Sequence, residues 1–175
     1  MKSKIGIIGL GYVGLPLAVA IAKKHPVIGF DINKKRISEL NSGLDSTNEL
    51  TNEQVLESLG KDIKYTDSES HLESVNFFVI TVPTPINKDK TPNLNPVISA
   101  SKTVAKYLKK DSIVVFESTV YPGVTEDICV PILEKGSSLK FNADFHVGYS
   151  PERINPGDKE HTVTKIKKVV SGSSP

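Results

Sequence analysis

Cysteine and long apolar runs are both scarce in this sequence. Cys129 is the single cysteine among 175 residues, so no disulfide can form within the chain, and such a composition suits a reducing cytosol. No apolar run approaches the roughly 20 residues that cross a bilayer. The apolar start is interrupted by Gly9, Gly11 and Gly14 and closed by two lysines, unlike a signal peptide. We therefore expect a cytoplasmic location and no membrane association.

Excess charge and metal-binding patterns are also missing. The formal net charge is +2, which gives no reason to expect a nucleic-acid partner. The four histidines show no spacing typical of metal ligands, so no metal site is predicted. The chain has no internal repeats, and 175 residues with 38% hydrophobic and 24% charged residues suit a globular protein. We expect residues 1–175 to form one domain.

A glycine-rich turn between an apolar strand and a helix is the most informative feature that is present. Gly9, Gly11 and Gly14 have the spacing Gly-x-Gly-x-x-Gly, and Asp31 ends a second apolar strand 17 residues after Gly14. This arrangement is typical of dinucleotide binding: the glycines provide a tight turn, close approach of a pyrophosphate to the backbone, and close packing of the helix. The helix N-terminus attracts the phosphates. Asp31 can accept both ribose hydroxyls and would repel a 2′-phosphate, so the sequence predicts NAD rather than NADP.

Strand-like and helix-like segments alternate along the chain. This order predicts an α/β fold of the Rossmann-like, doubly wound type, with a mostly parallel sheet and helices on both faces. The predicted strands are residues 4–9, 27–31, 63–66, 76–81, 112–117, 144–149 and 166–171. The predicted helices are residues 12–24, 33–40 with Asn33 as the cap, 51–59, a short piece at 71–74, 95–109, and 124–134 with a kink at Pro131. A turn begins directly after the last strand, so we expect the chain to be the N-terminal portion of a longer enzyme.

Loops rich in hydroxyl groups and proline follow the later strands. These loops are residues 81–85 (TVPTP), 118–123 (STVYPG) and 150–157 (SPERINPG). Ligands of open α/β sheets bind beyond the carboxyl ends of the strands, so these loops and the glycine-rich turn are expected to converge on one rim. Proline stiffens such loops and lowers the entropy that is lost on binding.

Four sequence blocks together resemble the N-terminal domain of the UDP-glucose/GDP-mannose dehydrogenase family. They are GLGYVGLPLA at residues 9–18, VPTP at 82–85, ESTVYPGVTE at 117–126 and SPERINPG at 150–157, and they span nearly the whole chain in the family's order. The stretch YSPERINPGDKEH at residues 149–161 is similar to the branch that oxidises UDP-N-acetylhexosamines. Pro156 stands where UDP-glucose dehydrogenases usually carry a second glutamate.

The resemblance implies an oxidoreductase that converts the C6 hydroxymethyl group of a UDP-sugar to a carboxylate. Two NAD are reduced for each sugar, and the product serves polysaccharide or capsule precursor synthesis. The thiol that traps the aldehyde, together with the Lys and Asn that stabilise the oxyanion, belongs to a later part of family members, so this chain alone is expected to bind NAD without turnover. Cys129 lies in an apolar helical stretch, which favours a buried, inert thiol. A homodimer or larger homo-oligomer is expected of the complete enzyme.

The resemblance also implies roles for individual residues. The expected cofactor-binding positions are Gly9, Gly11, Tyr12, Val13, Gly14, Asp31, Arg36, Thr84 and Thr119. The expected catalytic residues are Thr119, which would help to position a water, and Glu152, which would act as a general base or orient a water. Glu152, Arg153 and Asn155 are expected to contact the substrate.

Simpler explanations stay open for several of these positions. Arg36 could belong to a solvated basic helix face, and Thr119 could be a turn hydroxyl. Glu152 could form an ion pair with Arg153, and Asn155 could belong to a surface loop.

Other functions also stay open. Within the family, the alternative is a UDP-glucose 6-dehydrogenase, against which Pro156 argues. A 3-hydroxyacid or 6-phosphogluconate dehydrogenase shares the glycine-rich start, but the VPTP, ESTV and SPER blocks argue against it. A non-catalytic module that senses NAD is the alternative from a different class of protein.

Overall fold

The computed structural model describes residues 3–152 and 166–174 of the chain. In this part, seven strands form one sheet in the order β3-β2-β1-β4-β5-β6-β7. The strands are β1 (Ile5–Ile8), β2 (Val27–Phe30), β3 (Ile63–Thr66), β4 (Phe77–Ile80), β5 (Ser112–Phe116), β6 (Phe145–Tyr149) and β7 (Ser171–Gly172). The first six are parallel, and β7 is antiparallel to β6.

Helices cover both faces of this sheet. They are α1 (Gly14–Ala22), α2 (Lys34–Asn41), α3 (Asn52–Leu59), α4 (Asn95–Ala105) and α5 (Val130–Ser137), with a 3-10 turn at Glu69–Ser74 and a π-helical turn at Val124–Cys129. Local sequence explains several starts: Asn33 accepts the N–H groups of Lys35 and Arg36, and Thr51 forms a reciprocal capping box with Gln54. The mostly parallel Rossmann-like sheet predicted from the sequence is confirmed.

Two apolar cores lie on opposite faces of the sheet. Side chains of α1, α2 and α3 pack on one face, and those of α4 and α5 pack on the other. Neighbouring strand residues alternate between the cores: Ile7 and Val79 belong to the first, whereas Ile8, Phe78 and Ile80 belong to the second. Side chains alternate in this way because successive residues of a strand point to opposite faces. Burial on both faces explains why these strands are apolar without alternation.

The strand order reverses between β1 and β4, which places the ends of three strands together. From β1 the chain builds outward through β2 and β3, then returns to place β4 on the other side of β1. Ile8 is in register with Phe30 on one side and with Ile80 on the other. The residues that follow, Gly9, Asp31 and Thr81, therefore lie at one edge of the sheet, where doubly wound folds bind their ligands.

The last predicted strand is wrong in extent, and it runs antiparallel to its neighbour. The sequence predicts a strand at 166–171, but only Ser171–Gly172 pairs with β6, and it does so antiparallel. The β-branched residues Val169 and Val170 favoured a strand, yet they stand exposed. Lys168 is paired with Glu117 across the end of β5, so the chain reaches the edge of β6 only after residue 170.

The helix predicted at 124–134 differs in its internal structure. A π-helical turn occupies Val124–Cys129, and α5 follows it with Pro131 in its first turn, so Pro131 begins a helix rather than kinking one. The N–H of Val130 donates to the carbonyl of Thr125, five residues earlier. The wider turn places Pro131 in the first turn of α5. The N–H that proline lacks costs little there, because the first N–H groups of a helix have no partner within the helix.

The other predicted helix ends also shift by a few residues. The helix predicted at 12–24 is Gly14–Ala22, and the one predicted at 95–109 ends at Ala105. Within the described ranges, no helix combines the length and apolar character needed to cross a membrane. In the same ranges, no three or more His, Cys, Asp or Glu side chains are grouped so that they could hold a metal ion.

Candidate functional site

The three glycines of the turn after β1 have three different geometric roles. Gly9 adopts φ +96°, a left-handed conformation that suits glycine. A Cβ on Gly14 would stand 1.9 Å from the carbonyl oxygen of Gly9, so only glycine allows α1 to pack this closely. A Cβ on Gly11 would meet nothing within 4 Å. The backbone at Gly11 therefore borders open space that a ligand can enter.

A cavity of about 480 Å³ lies beside this turn, at the carboxyl ends of β1, β2 and β4. Gly9, Gly11, Asp31 and Arg36, all predicted site residues, line it. Residues of α4 form the opposite wall, and Ser46 and Thr47 from the loop before α3 are also lining residues. A mostly apolar cleft of this size with a few polar groups is typical of a cofactor site.

Asp31 connects the end of β2 to the glycine-rich turn. Its Oδ2 accepts the N–H of Leu10 at 2.8 Å, and its Oδ1 accepts the N–H of Asn33 at 2.8 Å. A carboxylate has about four acceptor positions, so each oxygen keeps one for a further hydroxyl donor. Asp31 can thus hold a ribose while its negative charge disfavours a phosphate at the same place.

Arg36 is buried, which rules out the solvated helix face. Its Nε donates to the carbonyl of Leu10 at 2.8 Å, and Nη2 lies 2.8 Å from Oδ1 of Asp45. Ser46 and Thr47 accept longer hydrogen bonds, each 3.3 Å, from the same guanidinium. The donors of Arg36 are therefore directed at the protein itself, where they connect the glycine-rich turn to the loop before α3.

Asp45 stabilises the loop before α3 through hydrogen bonds of its buried side chain. Sequence reasoning missed this residue. Its side chain is fully buried and accepts the backbone N–H groups of Thr47, Glu49 and Leu50 as well as the hydroxyl of Thr47. Burial acts to raise the pKa of Asp45, but these hydrogen bonds and Arg36 outweigh it and lower the pKa below 3.8. The Asp-Ser-Thr sequence after Gly43 resembles an Asp-initiated turn and is the local signal that could have identified it.

Hydroxyl groups connect the loops at the ends of β4 and β5. The hydroxyl of Thr81 donates to the carbonyl of Gly9 at 2.8 Å, and that of Ser118 donates to the carbonyl of Val82 at 2.6 Å. Thr84 donates to the carbonyl of Thr119 at 2.6 Å. The structure thus brings the two predicted threonines together, and it joins their loops to the glycine-rich turn.

Several predicted cofactor-binding residues lie outside the cavity walls. They are Tyr12, Val13, Gly14, Thr84 and Thr119. Tyr12 is half exposed, and Thr119 is exposed at the rim. The cavity therefore covers the side of the switch point near β2, and the threonine pair lies on the far side of β4. A dinucleotide is long enough to span such a crevice from one side of the switch point to the other.

Two glutamates meet one lysine at the ends of β5 and β6. Nζ of Lys168 lies 2.5 Å from Oε2 of Glu117 and 3.8 Å from Oε2 of Glu152. Glu117 is buried, and the side chains of Glu152 and Lys168 are 10% and 15% exposed. The sequence predicted Glu152 alone, because Lys168 comes 51 residues after Glu117 and no local pattern relates the two.

Burial also changes the chemistry of Glu117 and Cys129. It raises the pKa of Glu117 above 4.5, and the charge of Glu152 adds to this, although Lys168 acts in the opposite direction. Burial also raises the pKa of Cys129 above 9.0. A hydrogen bond with Ser101 lowers this pKa, but by less than burial raises it. Cys129 is completely buried, as its apolar surroundings predicted, and such burial is typical of an inert thiol.

Two predicted substrate residues, Arg153 and Asn155, lie outside the described residues, and so does Pro156. The alternative of an ion pair between Glu152 and Arg153 therefore stays open. The described residues do fit a dinucleotide: an open backbone at Gly11, a carboxylate at the end of β2 and an apolar cleft between them.

Comparison with known proteins agrees with this geometry. The model of the UDP-glucose/GDP-mannose dehydrogenase family, NAD binding domain, matches residues 3–175. The chain is 56% identical over 172 residues to the UDP-N-acetyl-D-glucosamine 6-dehydrogenase of Pseudomonas aeruginosa, covering 98% of this chain and 40% of that protein. It is 54% identical over 174 residues to Protein CapL of Staphylococcus aureus, covering 99% of this chain and 40% of that protein.

A solved structure shows the same fold. A UDP-D-ManNAc dehydrogenase from Pyrococcus horikoshii matches with a TM-score of 0.87 at 33% identity, over 97% of this chain and 41% of that one. The chain thus spans about 40% of the length of the curated relatives that it matches. Because the family model covers almost every residue and the glycine-rich turn, Asp31 and the cavity lie together as dinucleotide binding requires, the chain belongs to the UDP-glucose/GDP-mannose dehydrogenase family, as its NAD-binding domain.

Proposed function

We propose that the protein carrying this chain oxidises C6 of a UDP-N-acetylhexosamine from the alcohol to the carboxylate. The observation that carries the redox half of the proposal is the placement of the open Gly11 backbone and the Asp31 carboxylate on one cavity. The sugar is inferred from the relative in Pseudomonas aeruginosa, a UDP-N-acetyl-D-glucosamine 6-dehydrogenase that is 56% identical over this domain. The product would serve polysaccharide or capsule precursor synthesis.

The proposed reaction balances as two successive oxidations. NAD, when bound, accepts a hydride from the sugar carbon in each. One –CH2OH group, one water and two NAD⁺ give one carboxylate, two NADH and three protons. The residues of this chain bind the dinucleotide, position water near the reacting carbon and accept a proton.

The cofactor-binding residues are proposed to contact different parts of the dinucleotide along the crevice. Gly11, Tyr12 and Val13 present the backbone at the start of α1 to the pyrophosphate. Asp31 accepts the adenosine ribose hydroxyls. Arg36 holds the turn in shape through the carbonyl of Leu10.

The reaction residues lie beyond the ends of β4, β5 and β6. Thr84 fixes the backbone of Thr119 by its 2.6 Å hydrogen bond, which leaves the exposed hydroxyl of Thr119 to position a water or the nicotinamide side of the cofactor. Glu152, just after β6, is the proposed general base. With Arg153 and Asn155, it is also proposed to contact the sugar. We further propose a cytoplasmic homodimer or larger homo-oligomer.

The test is NADH formation by the complete protein with three sugars in parallel. UDP-N-acetylglucosamine, UDP-N-acetylgalactosamine and UDP-glucose are each supplied with NAD, and the NADH formed is counted per sugar consumed. Two NADH per N-acetyl sugar, with slow oxidation of UDP-glucose, is the expected result. Preferred oxidation of UDP-glucose would overturn the substrate assignment, and NAD binding without turnover of any sugar would favour the non-catalytic module.

A further inference from the structure

The Glu117, Glu152 and Lys168 cluster lies apart from the cofactor cavity. Its lysine comes from the segment that leads into β7, while Glu117 follows β5 directly and Glu152 comes three residues after β6. None of the three lines the cavity beside the glycine-rich turn. The N–H of Ser150 donates to the carbonyl of Phe116, so the loop that carries Glu152 starts alongside the end of β5. Two carboxylates from different loops are thereby brought to one ammonium group.

The two carboxylates, of Glu117 and Glu152, are largely buried and lie near the same ammonium group. Like charges repel strongly in a poorly solvated place, and the ammonium group of Lys168 offsets this repulsion. The ammonium group of Lys168 lies closer to Glu117 than to Glu152. It donates a hydrogen bond to Glu117 at 2.5 Å, whereas its distance to Glu152 is 3.8 Å, beyond hydrogen-bond distance. Glu117 thus anchors Lys168, while Lys168 acts on Glu152 through its charge.

We propose that Lys168 is a positioning residue for the oxidation, which holds the Glu152 carboxylate in place beyond the end of β6. This rests on the proposed function, in which Glu152 is the general base. Glu117 has the supporting role of fixing the ammonium group. The antiparallel direction of β7 fits this arrangement. It places the segment before β7, with Lys168, beside the carboxyl ends of β5 and β6.

The test uses the complete dehydrogenase with NAD and its best UDP-sugar. In Lys168→Met, kcat should fall about tenfold or more, a part of the roughly 100- to 10,000-fold that a positioned general base contributes, while KM for NAD stays within about twofold. Lys168→Arg, which keeps the charge, should recover part of kcat. The control is Lys167→Met at the exposed neighbouring position, which should leave both constants unchanged.

A double variant separates positioning from simple stabilisation of the fold. Lys168→Met alone leaves Glu117 buried without its cation and can unfold the protein. Glu117→Gln combined with Lys168→Met removes both charges, so its melting temperature should approach that of the wild type. We expect kcat to stay low in this folded double variant, because Glu152 still lacks the ammonium group.

Recovery of wild-type kcat in the double variant would overturn the inference, because Lys168 would then serve only to balance Glu117. Unchanged kcat in a folded Lys168→Met variant would also overturn it. A wild-type protein that binds NAD but oxidises none of the three sugars would overturn the proposed function, and this inference with it. The wild-type measurement therefore separates the two failures.

Discussion

Leu10 is held from both sides by charged residues: Asp31 accepts its N–H at 2.8 Å, and Arg36 donates to its carbonyl at 2.8 Å. Its side chain is completely buried in the core beside α1. The residue between the first two glycines therefore has almost no freedom to move. A turn that is fixed before the cofactor arrives loses less entropy when it binds a pyrophosphate.

Replacing Asp45 should destabilise the chain strongly. Asp45→Asn removes the charge that faces buried Arg36, and breaking such a pair typically costs about 3 kcal/mol. The control is Lys35→Gln, whose partner Glu39 is 3.9 Å away and whose own side chain is 85% exposed, so its cost should be below about 1 kcal/mol. Urea unfolding of the 175-residue chain measures both. Equal midpoints for the two variants would contradict the structural role of Asp45.

The Asp45 contribution should vanish in acid. Its pKa lies below the usual 3.8 in the folded chain, so folding favours the ionised form. The resulting stability is fully present above about pH 4 and is lost as the pH falls through the lowered folded pKa. The difference in unfolding free energy between wild type and Asp45→Asn should therefore shrink below about pH 4. A difference that stays constant from pH 7 to pH 3 would show that the ion pair is not its cause.

Alanine at Gly11 should weaken NAD binding, whereas alanine at Gly14 should lower the stability of the fold. At Gly11 the new methyl group meets nothing within 4 Å, whereas at Gly14 it would lie 1.9 Å from the oxygen of Gly9. Gly11→Ala should thus keep the melting temperature but weaken NAD binding about tenfold or more, because the methyl group occupies the approach to the backbone. Gly14→Ala should lose about 1–3 kcal/mol of stability by overpacking. Calorimetry with and without NAD measures both effects, and wild-type affinity in Gly11→Ala would be incompatible with pyrophosphate binding there.

Asp31 should control the choice between NAD and NADP. The wild-type chain should bind NAD more tightly, because a 2′-phosphate near the Asp31 carboxylate is repelled and Arg36 is already committed to Leu10 and Asp45. In Asp31→Asn the ratio of the two affinities should fall about tenfold or more. Exposed Asp67→Asn is the matched control and should leave the ratio unchanged. Fluorescence titration with both cofactors gives the ratio, and an unaltered preference in Asp31→Asn would place the ribose elsewhere.

The local features of this chain could be predicted because they depend on neighbouring residues. Gly9 takes a left-handed φ within its own turn, Gly14 lies against the carbonyl of Gly9, and Asn33 caps a helix that starts at the next residue. Uninterrupted apolar runs predicted strands that are buried on both faces. Pro131 shows where such reasoning falls short: its missing N–H was recognised, but the π-helical turn that precedes it was not.

The spacing of glycines, apolar runs and Asp31 along the chain was thus enough to indicate the Rossmann-like sheet and its cofactor edge, because these patterns act over short separations. The tertiary structure alone decided that Arg36 turns inward to Asp45, that Lys168 meets Glu117 and Glu152, and that the last strand runs antiparallel. The first two depend on charges that attract strongly only after folding has brought them together and removed water between them, and the third depends on backbone pairing with β6. Lys168 comes 51 residues after Glu117 and no local pattern relates the two, so their meeting could not be predicted from the sequence.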